Sequence, residues 1–271
     1  MRNGRYTQTL RESGFKRRLC RISLEDNEMI DFHCHIGRLR SEELNKQYGI
    51  PEEAGGAFLH STLQRVKEVE KAFATLYASP HINYRDSLNW LLSEVKPFKE
   101  LIPVPVIHPQ LKATTPLLEE LNPTQVPGIK IHCESAEFGH YSLGDCNLLA
   151  PTFSYAEENG LVVFVHTDAN TCFANKLEPL LASFQATTVL LHCCREEGVI
   201  LTRYPSVYLE TSGCSAEDIR LAVTETPDRV LFGSDFPLFD YNASLRNVKE
   251  HIPQIEANEK EMTKKLSLSC I

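Results

Sequence analysis

Short apolar runs recur along the chain, each ending in polar or glycine-containing residues and followed by a segment with helical spacing. Eight of these runs read as strands, at about residues 28–34, 72–78, 102–107, 128–132, 161–166, 188–192, 207–211 and 230–235. The run Leu161-Val162-Val163-Phe164-Val165 is apolar at every position, as expected of a parallel strand covered on both faces. Leu88, Leu91, Leu92 and Val95 form one apolar stripe, which predicts a helix over about 86–99. A further helix from about 150 stops at Asn159-Gly160, and others are expected at about 60–70, from Thr115-Pro116, and over much of 241–269, where Pro253 interrupts. Pro103 and Pro105 predict an incomplete ladder in the third strand. Residues 36–59, with Gly49, Gly55 and Gly56, read as one long functional loop. Eight strands with a helix-like segment in most of the intervals make an α/β fold, a (β/α)8 TIM barrel, the natural architecture.

No low-complexity tract or Gly/Ser-rich linker divides the chain, so residues 28–271 read as one domain behind an N-terminal extension, 1–27. Residues 1–21 carry seven basic residues and one acidic, Glu12, a composition faintly like an organelle transit segment; without an amphipathic pattern it reads as a solvated leader. The net charge of −8, from 28 Lys and Arg against 36 Asp and Glu, argues against nucleic acid or an anionic membrane as partner. A small-molecule substrate is the expectation, with a homodimer left open. Nine scattered cysteines without a CxxC pair suit reduced thiols and a cytoplasmic location. No run reaches the length of a membrane span.

The placement of the polar residues changes this picture from a fold to a site. His33 and His35, Lys130 and His132, His166, His192, and Asp235 each stand at the C-terminal end of an expected strand, the end where barrel enzymes build their sites. Alternation places His33 and His35 on one face, with Asp31 beneath them and Phe32 and Cys34 facing away. One such histidine could be an ordinary strand-end residue; the series in order points to a metal centre. Imidazole nitrogen and carboxylate oxygen suit zinc, with Mn2+, Fe2+ or Ni2+ as alternatives. A divalent metal would acidify a water, Asp235 could take its proton and return it to the leaving group, and His192 could donate to the oxygen that becomes negative.

Six segments carry a resemblance: Asp31-Phe32-His33-Cys34-His35, Gly128-Ile129-Lys130-Ile131-His132, Val165-His166-Thr167, Leu191-His192, Val207-Tyr208-Leu209-Glu210-Thr211-Ser212 and Leu231-Phe232-Gly233-Ser234-Asp235-Phe236-Pro237. Together they resemble the amidohydrolase superfamily, and most of all its amidohydrolase-related branch of small-barrel, metal-dependent hydrolases. The resemblance implies His33, His35, His166 and Asp235 as ligands of one divalent metal, with His192 beside it as the catalytic or second-metal histidine. It also implies hydrolysis of a small amide, ester or lactone. Lys130 would be carboxylated and bridge two metals in some relatives; the alternative is an ammonium paired with Asp31 or Glu210, or bound to a substrate carboxylate. Arg195, in a Cys193-Cys194-Arg195 turn where many relatives have glycines, either grips a carboxylate or opens a helix, and His132 lines the pocket. His81 and His108 also end strands, and Cys194 shares the face of His192. Two further readings stay open: a non-hydrolytic decarboxylase resembling aminocarboxymuconate-semialdehyde decarboxylase, and a catalytically silent metal-binding barrel.

Overall fold

In the computed structural model of the chain, residues 29–77, 84–107, 118, 120–123, 125–133, 142–170 and 172–266 are described. The N-terminal extension, His81, His108 and most of the segment expected to open a helix at Thr115 lie outside them. The strands are β1 (Met29–Ile36), β2 (Val69–Leu76), β3 (Leu101–Val104), β4 (Val106–Ile107), β5 (Gly128–Ile131), β6 (Val162–His166), β7 (Thr188–Leu191), β8 (Val207–Glu210) and β9 (Val230–Leu231). All neighbouring pairs are parallel, in the orders β1-β2-β3 and β4-β5-β6-β7-β8-β9.

The break between the two runs falls at Pro105, which has no N–H to give. Its carbonyl still accepts from Lys130 N at 2.8 Å, so β3 and β4 are one barrel strand interrupted by a proline. At the other seam Phe32 N donates to Phe232 O (2.9 Å), Asp235 N to His33 O (2.7 Å) and His35 N to Phe236 O (2.7 Å). These bonds join β1 to the strand after β9 and close an eight-stranded (β/α)8 barrel.

Two buried carboxylates fasten that seam. Asp31 accepts from His33 N (2.9 Å), Ser234 N (3.0 Å), Ser234 Oγ (2.5 Å) and the Tyr241 hydroxyl. Lower down, Glu259 accepts from Ile30 N (2.8 Å) and Phe232 N (3.0 Å), which pins the last helix across both seam strands. Burial raises both acids: Asp31 to about 6 despite its donors, and Glu259 well above the usual range.

The helices are α1 (Glu42–Gln47), α2 (Gly56–Val66), α3 (Tyr84–Val95), α4 (Cys146–Asn159), α5 (Glu178–Ser183), α6 (Glu196–Leu201), α7 (Ala216–Glu225), α8 (Tyr241–Val248) and α9 (Ile252–Lys265). Helix α4 starts with the Asp145 carboxylate accepting from Leu148 N and stops at Gly160, whose φ of 65° takes the left-handed position expected of Asn159-Gly160. Pro253 does not break a helix but sits in the first turn of α9. The region 36–59 is no simple loop, since it folds α1 behind a Ser41 cap and begins α2. No described helix is long and apolar enough to cross a membrane.

The core is layered as a barrel requires. Phe32, Phe73, Phe164, Val189, Leu191, Tyr208 and Leu231 fill the interior, with Phe32 stacked on Phe73 at 4.6 Å, while residues such as Cys34, Ala74, Val163 and Leu209 face the surrounding helices. Phe32 therefore points inward, against the expectation from alternation. The cause is a β-bulge: the pairing with β2 runs Asp31 to Ala72 and then Cys34 to Ala74, so β1 holds one extra residue there. Asp31 turns outward to the seam, Phe32 and His33 both turn inward, and the strand recovers its alternation with Cys34 out and His35 in.

Candidate metal centre

The strands lift a set of buried polar groups above this aromatic floor. Lys130 on β5 is 2 % exposed and places Nζ 2.7 Å from His33 Nε2 and 3.2 Å from His35 Nε2. Asp235 enters from the far side of the seam, with Oδ1 3.1 Å from His35 Nε2 and 3.5 Å from His33 Nε2. Two imidazole nitrogens and a carboxylate oxygen thus converge on one small volume beside an ammonium.

His192 reaches the same cup by a backbone turn. Leu191 is an interior residue, so alternation would send His192 outward; a φ of 61° at His192 turns it back. Asp235 has a φ of 52°, and such left-handed positions in residues other than glycine gather at functional sites. The His192 ring lies edge-on to His33 and to His166, each at 5.0 Å. His132 stacks on His166 at 3.8 Å, and Tyr77 stacks on His35 at 4.4 Å.

Behind the rings, Glu210 and Ser212 form a buried brace. Ser212 Oγ donates to Glu210 Oε2 (2.7 Å) and stands 2.8 Å from His192 Nδ1 and 3.3 Å from His33 Nδ1. Glu210 also accepts from Ser212 N (2.5 Å) and His192 N (3.2 Å). A Cβ on Gly233 would fall 1.8 Å from Glu210 Oε1, so only glycine lets the segment after β9 approach this carboxylate.

Burial sets the charge states. It drives His33, His132 and His166 well below their ordinary range and His35 to about 4, each helped by the positive charge of Lys130 and by the neighbouring rings. Burial also lowers Lys130 to about 8 and raises Glu210 to about 7. For Asp235 burial works against the charge, but His35, His192 and Lys130 outweigh it and hold the carboxyl below its usual value. The result is neutral imidazoles with available lone pairs around an ionised carboxylate.

These residues fit a divalent cation. Ligand atoms of His33, His192 and Asp235 all lie within 4.8 Å of one another. Asp235 Oδ1 is buried and accepts no well-directed hydrogen bond among the described residues, an arrangement that favours a cation there. The Lys130 ammonium, within hydrogen-bond distance of two imidazole nitrogens, marks where their lone pairs meet.

The family model described as amidohydrolase matches residues 30–264. The chain belongs to the amidohydrolase family. No curated protein matches it. Among solved structures, it is similar to an uncharacterised TIM-barrel protein of Bordetella bronchiseptica, at 16 % identity and a TM-score of 0.65 over 89 % of this chain and 99 % of that one. A protein described as a probable 2-pyrone-4,6-dicarboxylic acid hydrolase of Acinetobacter baumannii, with citric acid bound, is similar at 14 % identity and a TM-score of 0.62, covering 89 % and 99 %. A dihydroxybenzoic acid decarboxylase of a Polaromonas species, holding manganese and 2-nitroresorcinol, is similar at 14 % identity and a TM-score of 0.64, covering 90 % and 98 %. At these identities the likeness is one of fold.

In this member of the family the residues singled out from the sequence sit as follows. His33, His35, Lys130, His192 and Asp235 are brought together, and His132 and His166 line the same cup as a stacked pair. Lys130 meets the histidines instead of pairing with Asp31, which is committed to the seam. Arg195 N-caps α6 and directs its donors into the protein, Nη1 to His192 O (2.9 Å), Nη2 to Asp168 O (2.8 Å) and Nε toward Glu197. Cys194 packs in the outer core and donates to Glu210 O. The brace role of Ser212 was not legible from the strand pattern, although an acid at the end of an apolar run, Glu210, was a signal for it. Tyr77 gave no signal at all.

Proposed function

We propose that this member of the amidohydrolase family is a metal-dependent hydrolase of a small amide, ester or lactone. The observation that carries this reading is the convergence of His33, His35 and Asp235 opposite a histidine braced by a buried acid. His33, His35 and Asp235 would hold the cation, with His166 completing the set and His192 free for proton transfer. When bound, a divalent cation at this point acidifies water and polarises a carbonyl; zinc is the proposed ion, with manganese, iron or nickel serving the same donors.

The chain's own groups supply the rest. Asp235 accepts the proton of the attacking water at its carboxylate and passes it to the leaving atom. Ser212 Oγ, whose proton goes to Glu210, and Ser212 O both accept from His192 Nδ1, which fixes the tautomer with the lone pair on Nε2. Turned to the substrate, Nε2 takes a proton first and, as imidazolium, donates to the developing negative oxygen. Lys130, cationic and buried, binds a substrate oxygen or carboxylate. The apolar floor of Phe32, Phe73 and Phe164 keeps water from entering below. The test is metal content and turnover on a panel of lactones, esters and amides. Asp235→Ala and His33→Ala should lose both the stoichiometric metal and the activity, and full metal content in both variants would refute the reading.

A second reading, decarboxylation, draws support from one feature: a buried lysine beside His33 and His35 could hold a carboxylate that is about to leave as carbon dioxide. Carbon dioxide released from an aromatic or dienoic acid, without solvent oxygen entering the product, would select it over hydrolysis.

A further inference from the structure

We propose that His166, Asp168 and Cys172 form a second, thiolate-containing cation subsite on the loop that follows β6. One ligand atom from each lies within 4.8 Å of the others, and Asp168 Oδ2 is 3.9 Å from His166 Nε2. Tetrahedral zinc or cobalt holds nitrogen and oxygen ligands at about 2.0–2.2 Å, which places them roughly 3.4 Å apart, so the His166–Asp168 pair closes by about half an ångström on binding.

The loop is built to present these atoms. Asp168 N donates to Cys172 O (3.1 Å), and Asp168 Oδ1 accepts from Asn170 N (2.6 Å) and Cys172 N (3.2 Å), which folds the cysteine back toward the acid. Thr167 Oγ1 donates to Leu191 O (2.6 Å), and Arg195 Nη2 holds Asp168 O from the other side. A second function for Arg195 follows: it joins the His192 turn to this loop. His166 and Asp168 are partly exposed, so an ion can enter, while Cys172 is buried with its thiol donating to Cys133 O at 2.7 Å. On binding, the S–H bond of Cys172 breaks, its proton leaves to solvent, and a sulfur–metal bond forms with no change of oxidation state. A neutral imidazole has one lone pair, so His166 completes the first site only while this subsite is empty and turns to Asp168 and Cys172 when the second cation binds, leaving His33, His35 and Asp235 on the first. The subsite rests on the proposed function only through this shared ring.

The test is anaerobic titration of the metal-free protein with cobalt(II), because thiolate ligation produces a charge-transfer band that nitrogen and oxygen ligands do not. The band should appear with a second equivalent of cobalt, vanish in Cys172→Ser, and need about tenfold more cobalt in Asp168→Asn. It should persist in Cys133→Ser, and in Asp235→Ala, where the first equivalent is lost; that last variant separates this subsite from the proposed function. No band in the wild type, or an undiminished band in Cys172→Ser, overturns the proposal. Should Cys172→Ser not fold, an unchanged cobalt affinity of the band in Asp168→Asn overturns it equally.

Discussion

Replacing Glu259 by Gln tests whether the barrel seam is held by a buried carboxylate at its lower end. The side chain is 0 % exposed, and its two oxygens accept from Ile30 N at 2.8 Å and Phe232 N at 3.0 Å. A glutamine retains one acceptor and turns an amide N–H2 toward the other backbone donor, which leaves a buried N–H without a partner. Such a loss costs about 1–3 kcal/mol. The sign of the pH dependence follows from the same burial. Because the folded-state pKa of Glu259 lies well above the ordinary 4.5, the wild type has its full stability below that value and loses part of it as pH rises toward the folded pKa. Glutamine has no such dependence. Urea unfolding followed by circular dichroism should show the variant less stable by about 1–3 kcal/mol at the acid end of its stable range, with the gap narrowing toward pH 8. Equal stability at every pH, or a gap that widens as pH rises, would refute the reasoning. The seam also sets the distance between His33 and Asp235, so metal affinity should fall with stability.

Ser212→Ala should lower activity or metal affinity by about 10–100-fold with little loss of fold, measured by turnover and metal titration, because it releases His192 and His33 from the brace. Gly233→Ala places a Cβ against the Glu210 carboxylate and should cost about 1–3 kcal/mol and most of the activity, although it removes no reacting atom. The buried histidines should lose their contribution to the stability of the metal-free protein in acid. Buried histidines with depressed pKa values contribute stability that is present above the unfolded value of 6.5 and is lost as pH falls through the folded value, about 4 for His35. The slope from such a residue is about 1.4 kcal/mol per pH unit; His33, His132 and His166 act in the same direction and the raised acids Asp31, Glu210 and Glu259 act against it. The check is therefore the difference between wild type and His35→Asn, and equal pH dependence of the two urea midpoints between pH 7 and pH 5 would contradict neutral burial.

Much of the fold was legible in the chain itself, because a parallel barrel strand buried on both faces must be apolar along its length. That requirement exposes Val162–Val165 and Thr188–Leu191 as strands and makes the polar residue that ends each one conspicuous. Gly128-Ile129-Lys130-Ile131-His132 obeys simple alternation, so the inward direction of Lys130 and His132 could be read directly. Three features could not. The extra residue in β1 leaves no mark in the hydrophobic pattern, yet it turns Phe32 and His33 inward together. His192 faces the cup through a left-handed backbone turn that alternation does not encode. Asp31, Glu210 and Glu259 are acids whose roles depend on partners up to 229 positions away, from Ile30 to Glu259. Strand period and residue chemistry are local properties, so the sequence determined the strand order and the ligand types. Seam closure and the direction of each ring depend on backbone approach between distant segments, and only the tertiary structure decided those.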